Sequence, residues 1–291
     1  MAELLRGVPV VEALNAEMMQ GVADLIERNI FPTLAIVRVG EREDDIAYER
    51  GVMKRCKKVG VQVRQVLLPG DCTEETLIAT LQGLNTDSTV HGVLLFRPLP
   101  KYMNDDRVRN ALVPEKDIDG ITDLSLAGVF AGTDTGFAPC TAQACMEILD
   151  YYDIDPKGRK AVVVGRSLVV GKPVAMMMIG KHATVTVCHT RTMDMPSVCR
   201  EGEILIVSAG RPKIVNESYL SAGQVVIDVG INVLEDGTMC GDVDFEAAEN
   251  ITKAITPVPG GVGTVTTSVL VGNVITAARR SLEGQHGGLD K

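Results

Sequence analysis

Ala161-Val162-Val163-Val164-Gly165-Arg166-Ser167-Leu168-Val169-Val170-Gly171-Lys172-Pro173 passes from a valine-rich apolar run through a glycine turn into the start of a helix. Three more apolar runs follow as candidate strands, Thr184–Cys188, Ile204–Ser208 and Val225–Val229, with short helices or loops between them. Upstream the same alternation occurs. A helical pattern reaches about Arg28, then come a strand at Thr33–Gly40, a charged helix from about Asp44 to Lys58, and a strand at Val61–Leu68. Thr73 with Glu74 and Glu75 opens a further helix through about Leu84, and Val90–Phe96 is a third strand. This alternation predicts an α/β fold with parallel sheets.

An apolar helical stretch from Thr141 to about Asp153 leads to Pro156-Lys157-Gly158, a break of the kind found at domain boundaries. The last helix, about Val265 to Leu282, is expected to return to the first domain. Residues 1–144 with 265–291 would then form one domain and residues 145–264 the other, joined by two long helices with a cleft between them. The second would be Rossmann-like, with a parallel sheet. No internal repeat is visible, and the Gly-rich, polar segment Glu283–Lys291 is expected to be a disordered tail.

The chain has 291 residues, 45% of them apolar, enough for two domains with cores of their own. Its net charge of −9 argues against a nucleic-acid or anionic-membrane surface, either of which needs a basic face. Small molecules are the expected partners. Seven cysteines occur without a Cys-x-x-Cys pair and with only four histidines, which speaks against zinc and for reduced thiols in a cytoplasmic protein. Glu3, Arg6, Glu12 and Glu17 interrupt the first apolar residues, so no targeting segment is expected, and no apolar run is long enough to span a membrane.

Gly165 stands where a strand gives way to a helix, and a helix N-terminus offers unpaired N–H groups and a positive dipole to a dinucleotide pyrophosphate. The segment departs from G-x-G-x-x-G, with Ser167 and Val170 at the second and third glycine positions. About 20 residues on, where an NAD enzyme places an acid, the chain reads Cys188-His189-Thr190-Arg191-Thr192. With no acid present, Arg166, Ser167, Thr190 and Arg191 are placed to hold a 2′-phosphate, which favours NADP over NAD. Each arginine alone would read as ordinary solvated charge, but two at the expected places favour the phosphate. A second side-chain-poor loop, Ile255–Thr266, holds Pro257, Pro259, Gly260, Gly261 and Gly263. It reads either as a tight connector or as bare backbone against which a flat ligand lies.

Taken together, Lys116-Asp117-Ile118-Asp119-Gly120, Pro139-Cys140-Thr141, Gly165-Arg166-Ser167-x-x-Val170-Gly171-x-Pro173, Asp228-Val229-Gly230-Ile231-Asn232, Gly241-Asp242-Val243 and Pro257-Val258-Pro259-Gly260-Gly261-Val262-Gly263 carry a resemblance. The chain resembles the bifunctional methylenetetrahydrofolate dehydrogenase/methenyltetrahydrofolate cyclohydrolase family from roughly residue 5 to residue 283. The resemblance implies two α/β domains, NADP bound through Gly165, Arg166, Ser167, Thr190, Arg191 and Ile231, and a homodimer in which Thr184–Cys188 is a dimer element by analogy. It further implies a folate site built from Tyr48, Asp119, Pro259, Gly260 and Gly261. A tyrosine ring can stack on the aminobenzoate, and a carboxylate can accept the paired N–H donors of the pterin. Asp119 followed by Gly120 is otherwise the composition of an ordinary turn.

One departure bears on the chemistry. The family's proton-handling lysine lies four residues after Tyr48, where this chain has Val52, and its partner glutamine is replaced by Phe96 in Leu95-Phe96-Arg97-Pro98-Leu99-Pro100. Hydrolysis of the methenyl bridge needs a group that takes and returns protons near neutral pH, and neither replacement can. Lys54 lies about 200° around the helix from Val52, and Arg97 should face the other side of its strand and is a poor proton acceptor. Cys56 and Gly60 keep the family spacing after Tyr48, which supports the register. Hydride transfer asks for less, because the cation it leaves is stabilised by two flanking nitrogens. Asp45, Ala142 and Thr264-Val265 also replace the usual residues. The first expectation is therefore an NADP-dependent dehydrogenase whose cyclohydrolase step is weak or lost and which relies on a separate cyclohydrolase. The alternatives are the ordinary bifunctional enzyme and a catalytically silent folate- or nucleotide-binding protein.

Overall fold

The structure, a computed structural model, describes residues 1–286. In chain order its elements are β1 (Glu3–Leu4), α1 (Gly7–Glu27), β2 (Thr33–Val39), α2 (Glu43–Val59), β3 (Gln62–Leu68), α3 (Glu74–Thr86), β4 (Gly92–Leu95), α4 (Asp105–Arg109), α5 (Asp123–Ala131) and α6 (Cys140–Tyr151). There follow β5 (Lys160–Val164), α7 (Gly171–Gly180), β6 (Thr184–Cys188), α8 (Met195–Arg200), β7 (Ile204–Val207), β8 (Val225–Asp228), β9 (Asn232–Val233), β10 (Met239–Cys240), α9 (Phe245–Ile251), β11 (Ala254–Ile255) and α10 (Val262–His286). Two compact units result. One comprises Ala13–Cys140 with the chain from Thr267, the other Met1–Glu12 with Thr141–Thr266. The division thus falls within α1 and α10 and at the first residue of α6, whereas the sequence suggested residues 1–144 with 265–291 against 145–264.

The first unit holds a three-stranded parallel sheet in the order β3-β2-β4. Central β2 is buried on both faces, as its unbroken Leu34-Ala35-Ile36-Val37 run requires, while β3 alternates between exposed and half-buried positions as an edge strand does. One face packs Ala35, Val37, Val93 and Leu95 against Leu77, Leu81 and Leu84 of α3. Thr73 caps α3 by accepting the N–H of Thr76 at 3.1 Å, so the helix starts where the sequence places it.

A six-stranded parallel sheet, in the order β1-β11-β8-β7-β5-β6, organises the second unit. Its inner strands β5, β7 and β8 are apolar and buried, with Val162, Val164, Leu205, Val207 and Val226 in one core. Residues Glu3 and Leu4, where the sequence suggested no strand, extend the sheet beside β11. The last helix runs to His286, four residues into the expected tail, and residues 287–291 lie outside the described residues. Among the described residues no helix is long and apolar enough to cross a membrane.

In each sheet the chain adds a strand on one side of a starting strand, β5 in the larger sheet and β2 in the smaller, and then returns to the other side. The reversal lies between β5 and β7 in the larger sheet and between β2 and β4 in the smaller. Crevices open beyond the carboxyl ends of parallel strands at such switch points.

Candidate functional site

Beyond the carboxyl ends of β5, β6 and β7 lies a cavity of about 370 Å³ lined by Val164, Gly165, Arg166, His189, Thr190, Met195, Ser208, Ala209, Arg211 and Ile214. Gly171 lets α7 begin there. A Cβ on it would strike the Gly165 carbonyl, so the close strand-to-helix approach is made one residue beyond Val170, where the motif register had placed it. Ser167 turns into that helix start, its hydroxyl accepting the N–H groups of Val170 at 3.1 Å and Gly171 at 3.4 Å.

Of the residues assigned from sequence to the nucleotide, Gly165, Arg166 and Thr190 line this cavity, while Ser167 and Arg191 do not. Arg191 is exposed, its backbone N–H donating to His189 Nδ1 at 3.1 Å. Ile231 lines a different cavity of about 210 Å³ in the same unit, together with Pro259, Gly260, Gly261 and Met239. Gly260 there holds φ at +105°, a conformation open to glycine. Ser208, Ala209 and Arg211, none of them assigned from sequence, line the first cavity because β7 lies next to β5. Their signal was the apolar run of β7 ending in Ser208-Ala209-Gly210-Arg211.

The other unit brings Tyr48, Asp119, Cys140, Thr267 and Asn273 together. Helix α2 is pinned to β2 by a buried ion pair, Arg38 Nε to Glu49 Oε2 at 2.9 Å, with Gln65 donating to the second Glu49 oxygen. This fixes the turn that carries Tyr48. Tyr48 as a whole is 41% exposed, yet its phenolic end faces Asp119, Cys140 and Thr267. Burial, then the charge of Asp119, hold its hydroxyl well above the ordinary tyrosine range, against a hydrogen bond with Thr267.

The Lys116–Gly120 loop is fixed from within, leaving Asp119 as its functional group. Lys116 Nζ donates to the carbonyls of Leu84 at 2.7 Å and Asp87 at 2.6 Å. Buried Asp117 accepts the N–H groups of Ile121 and Thr122 and the Ser125 hydroxyl. Burial pushes the Asp119 carboxyl up to about 6, against a hydrogen bond from Cys140 and the charge of Arg97. Asn273 donates at 2.9 Å to the Ile118 carbonyl, which also accepts the Cys140 thiol at 3.2 Å. Cys140 and Asn273 therefore belong to the Asp119 cluster without having been singled out for it.

Val52, one helical turn after Tyr48, is wholly buried, and Phe96 is 7% exposed. The Phe96 and Tyr48 rings meet edge to face with centroids 5.7 Å apart. Lys54 is exposed. Arg97 is held in a two-point ion pair with Asp105, one contact being Nε to Oδ1 at 2.8 Å. Its charge also acts to lower the Asp119 carboxyl, as the smallest of the influences on it. No cluster of ligands fit for a metal ion occurs among the described residues.

Comparison with known proteins matches both units to one family. Residues 5–119 match the tetrahydrofolate dehydrogenase/cyclohydrolase catalytic domain, and residues 139–282 match the NAD(P)-binding domain of the same family. The bifunctional protein FolD of Alkaliphilus oremlandii is 47% identical over 96% of this chain and 98% of its own length. Among solved structures, the bifunctional FolD methylenetetrahydrofolate dehydrogenase/cyclohydrolase of Campylobacter jejuni superposes with a TM-score of 0.93 at 34% identity, covering 96% of this chain and 99% of its own. The Trypanosoma brucei enzyme, solved with NADP cofactor and an inhibitor, gives a TM-score of 0.89 at 32% identity over 97% of this chain and 98% of its own.

Proposed function

The chain belongs to the tetrahydrofolate dehydrogenase/cyclohydrolase family, and we propose that it is an NADP-dependent methylenetetrahydrofolate dehydrogenase in which hydrolysis of the methenyl product is weak or lost. The reaction moves a hydride from the methylene carbon of methylenetetrahydrofolate to NADP, giving methenyltetrahydrofolate and NADPH. The observation that carries the proposal is the pairing of a retained binding cluster, Tyr48 and Asp119, with apolar Val52 and Phe96 beside it.

The nucleotide cavity suits a 2′-phosphorylated dinucleotide. Two guanidinium groups and an imidazole border it with no carboxylate among its lining residues, and α7 begins at its edge. The nicotinamide ring, when bound, supplies the hydride acceptor. Gly165 and the first turn of α7 hold the pyrophosphate, Arg166 and Thr190 take the ribose phosphate, and the Pro257–Gly263 loop with Ile231 offers a flat, side-chain-poor wall.

On the folate side, the anionic Asp119 accepts pterin N–H donors while Tyr48 stacks against the ring system. Removing hydride leaves a cation spread over the two nitrogens flanking the carbon, so no side chain has to move a proton. Hydrolysis differs. Water must add to that carbon and give up a proton, and Val52 and Phe96 present hydrocarbon where a proton carrier is needed.

A second reading, full bifunctionality, is favoured by relatives named as bifunctional proteins. It requires a proton carrier other than residue 52, and Asp119 with its carboxyl near 6 is the available group. A silent binding protein fits least, since both ligand loops are intact. Seven free cysteines support action in a reducing cytoplasm, and the outer position of β6 in its sheet supports the homodimer implied by the family. Oxidation of methylenetetrahydrofolate by the purified protein, followed as NADPH or NADH absorbance, tests the dehydrogenase. Turnover with NADP and slower turnover with NAD is expected. No turnover with either nucleotide would leave only the binding-protein reading.

A further inference from the structure

The loop that follows β7 borders the nucleotide cavity and is held by one carboxylate. Asp242, wholly buried, accepts the N–H of Ala209 at 2.6 Å and of Gly210 at 2.8 Å on one oxygen. Its other oxygen accepts the N–H of Arg211 at 3.0 Å and the Asn232 side-chain amide at 2.9 Å. The N–H of Asp242 itself donates at 3.0 Å to Asp228, a second buried carboxylate that also takes the N–H groups of Gly230 and Val243. Three successive N–H groups turned onto one carboxylate fix the backbone direction of residues 209–211, and with it the point from which the Arg211 side chain departs.

That side chain lines the cavity with Arg166, and neither guanidinium has a hydrogen-bond or ion-pair partner among the described residues. A pyrophosphate seated at the start of α7 is served by backbone N–H groups, which leaves both cations for another anion. The planar guanidinium fork matches a phosphate, and two forks match a dianionic monoester better than a neutral hydroxyl. We propose that Arg211 and Arg166 together clamp the 2′-phosphate of the bound dinucleotide, and that Asp242 is the positioning residue that aims Arg211. The inference rests on the NADP reading and deepens it, since it assigns cofactor selectivity to a residue far in sequence from the glycine turn.

Calorimetric titration of the full chain with NADP, NAD and adenosine 2′,5′-bisphosphate tests it. Arg211→Gln should weaken NADP and the bisphosphate about 10- to 50-fold while NAD affinity changes less than about twofold, and Arg211→Lys should restore part of the loss. Asp242→Asn should lower the NADP-to-NAD ratio, and that effect should vanish in the Arg211→Gln background. Should Asp242→Asn not fold, the exposed Arg211→Gln variant carries the test alone. Loss of NADP and NAD affinity in equal measure, or no loss at Arg211, would overturn the inference. A wild-type protein without preference for NADP removes the NADP reading as well. A preference that survives Arg211→Gln removes only the clamp.

Discussion

The two strand reversals of this molecule are alike in topology and opposite in chemistry. At the β5/β7 reversal the loops present Arg166, Arg211, His189 and Thr190 around a cavity without a carboxylate on its lining. Beyond β4, at the β2/β4 reversal, the chain places Phe96 edge to face on Tyr48, with Val52 buried one turn further along α2. Both places follow from the same geometry of parallel strands. What each can do depends on the few side chains delivered to it. The first presents cationic and hydroxyl groups suited to the charged nucleotide of the proposed function. The second presents Asp119 and Tyr48, which the proposed function assigns to a pterin, with hydrocarbon at residues 52 and 96, where that proposal needs a proton carrier for hydrolysis.

The contrast breaks most severely if a proton carrier is put back. Val52→Lys with Phe96→Gln should raise methenyltetrahydrofolate hydrolysis by about 10²- to 10⁴-fold over the parent, the range ascribed to general acid–base catalysis. Absorbance decay measures it, with thermal melting checking that the buried lysine is tolerated. If hydrolysis stays absent in a folded variant, loss of the two groups is not its sufficient cause.

Asp119→Asn should weaken folate binding about 10- to 100-fold and leave NADP binding untouched, because a carboxylate accepting paired N–H donors becomes a neutral amide. Titration of both ligands separates the two sites. Affinity lost for both would tie Asp119 to the fold rather than to the pterin.

A pH series sharpens the same point. With its carboxyl raised to about 6, Asp119 is increasingly protonated below that value, so folate affinity should decline as pH falls through about 6. Stability has the opposite sign. A carboxyl raised above its unfolded value of about 3.9 contributes stability that is full below that pH and lost as pH rises through about 6. Asp119→Asn should therefore melt higher than the parent at about pH 8, an advantage that disappears near pH 4. An advantage independent of pH would contradict the assignment.

The smallest effect is expected at Tyr48→Phe. The ring and its edge contact with Phe96 remain while one hydrogen bond toward Thr267 is lost, so stability should change by about 1 kcal/mol or less. Folate affinity should fall only severalfold if stacking dominates. A loss as large as that of Asp119→Asn would assign the hydroxyl a larger part.

Much of this is legible in the chain because it is local. The valine run ending at Gly165 declares a buried strand and its turn, and Thr73 declares the start of α3. Lys116–Gly120 is read as a loop that offers one carboxylate, though only packing shows that Asp117 is spent inside the loop while Asp119 is not. What escapes the sequence is non-local. Glu3 and Leu4 are too short a segment to look like a strand, and they join the sheet only because β11 is there to receive them. Arg211 reaches the cavity beyond β5 through strand order, not through spacing from Gly165. Ser167 matched a motif position, yet its hydroxyl serves the first turn of α7. The replacement at residue 52 was visible by register, but its meaning depends on Val52 being buried beside Tyr48 rather than turned to solvent.

The central claim is that residues 52 and 96 separate hydride transfer from hydrolysis. Its most direct test is the decay of methenyltetrahydrofolate in the presence of the purified protein, compared with spontaneous decay in the same buffer. The account predicts a rate indistinguishable from the spontaneous one in a preparation that oxidises methylenetetrahydrofolate with NADP. Clear acceleration of the decay by that same preparation would contradict it.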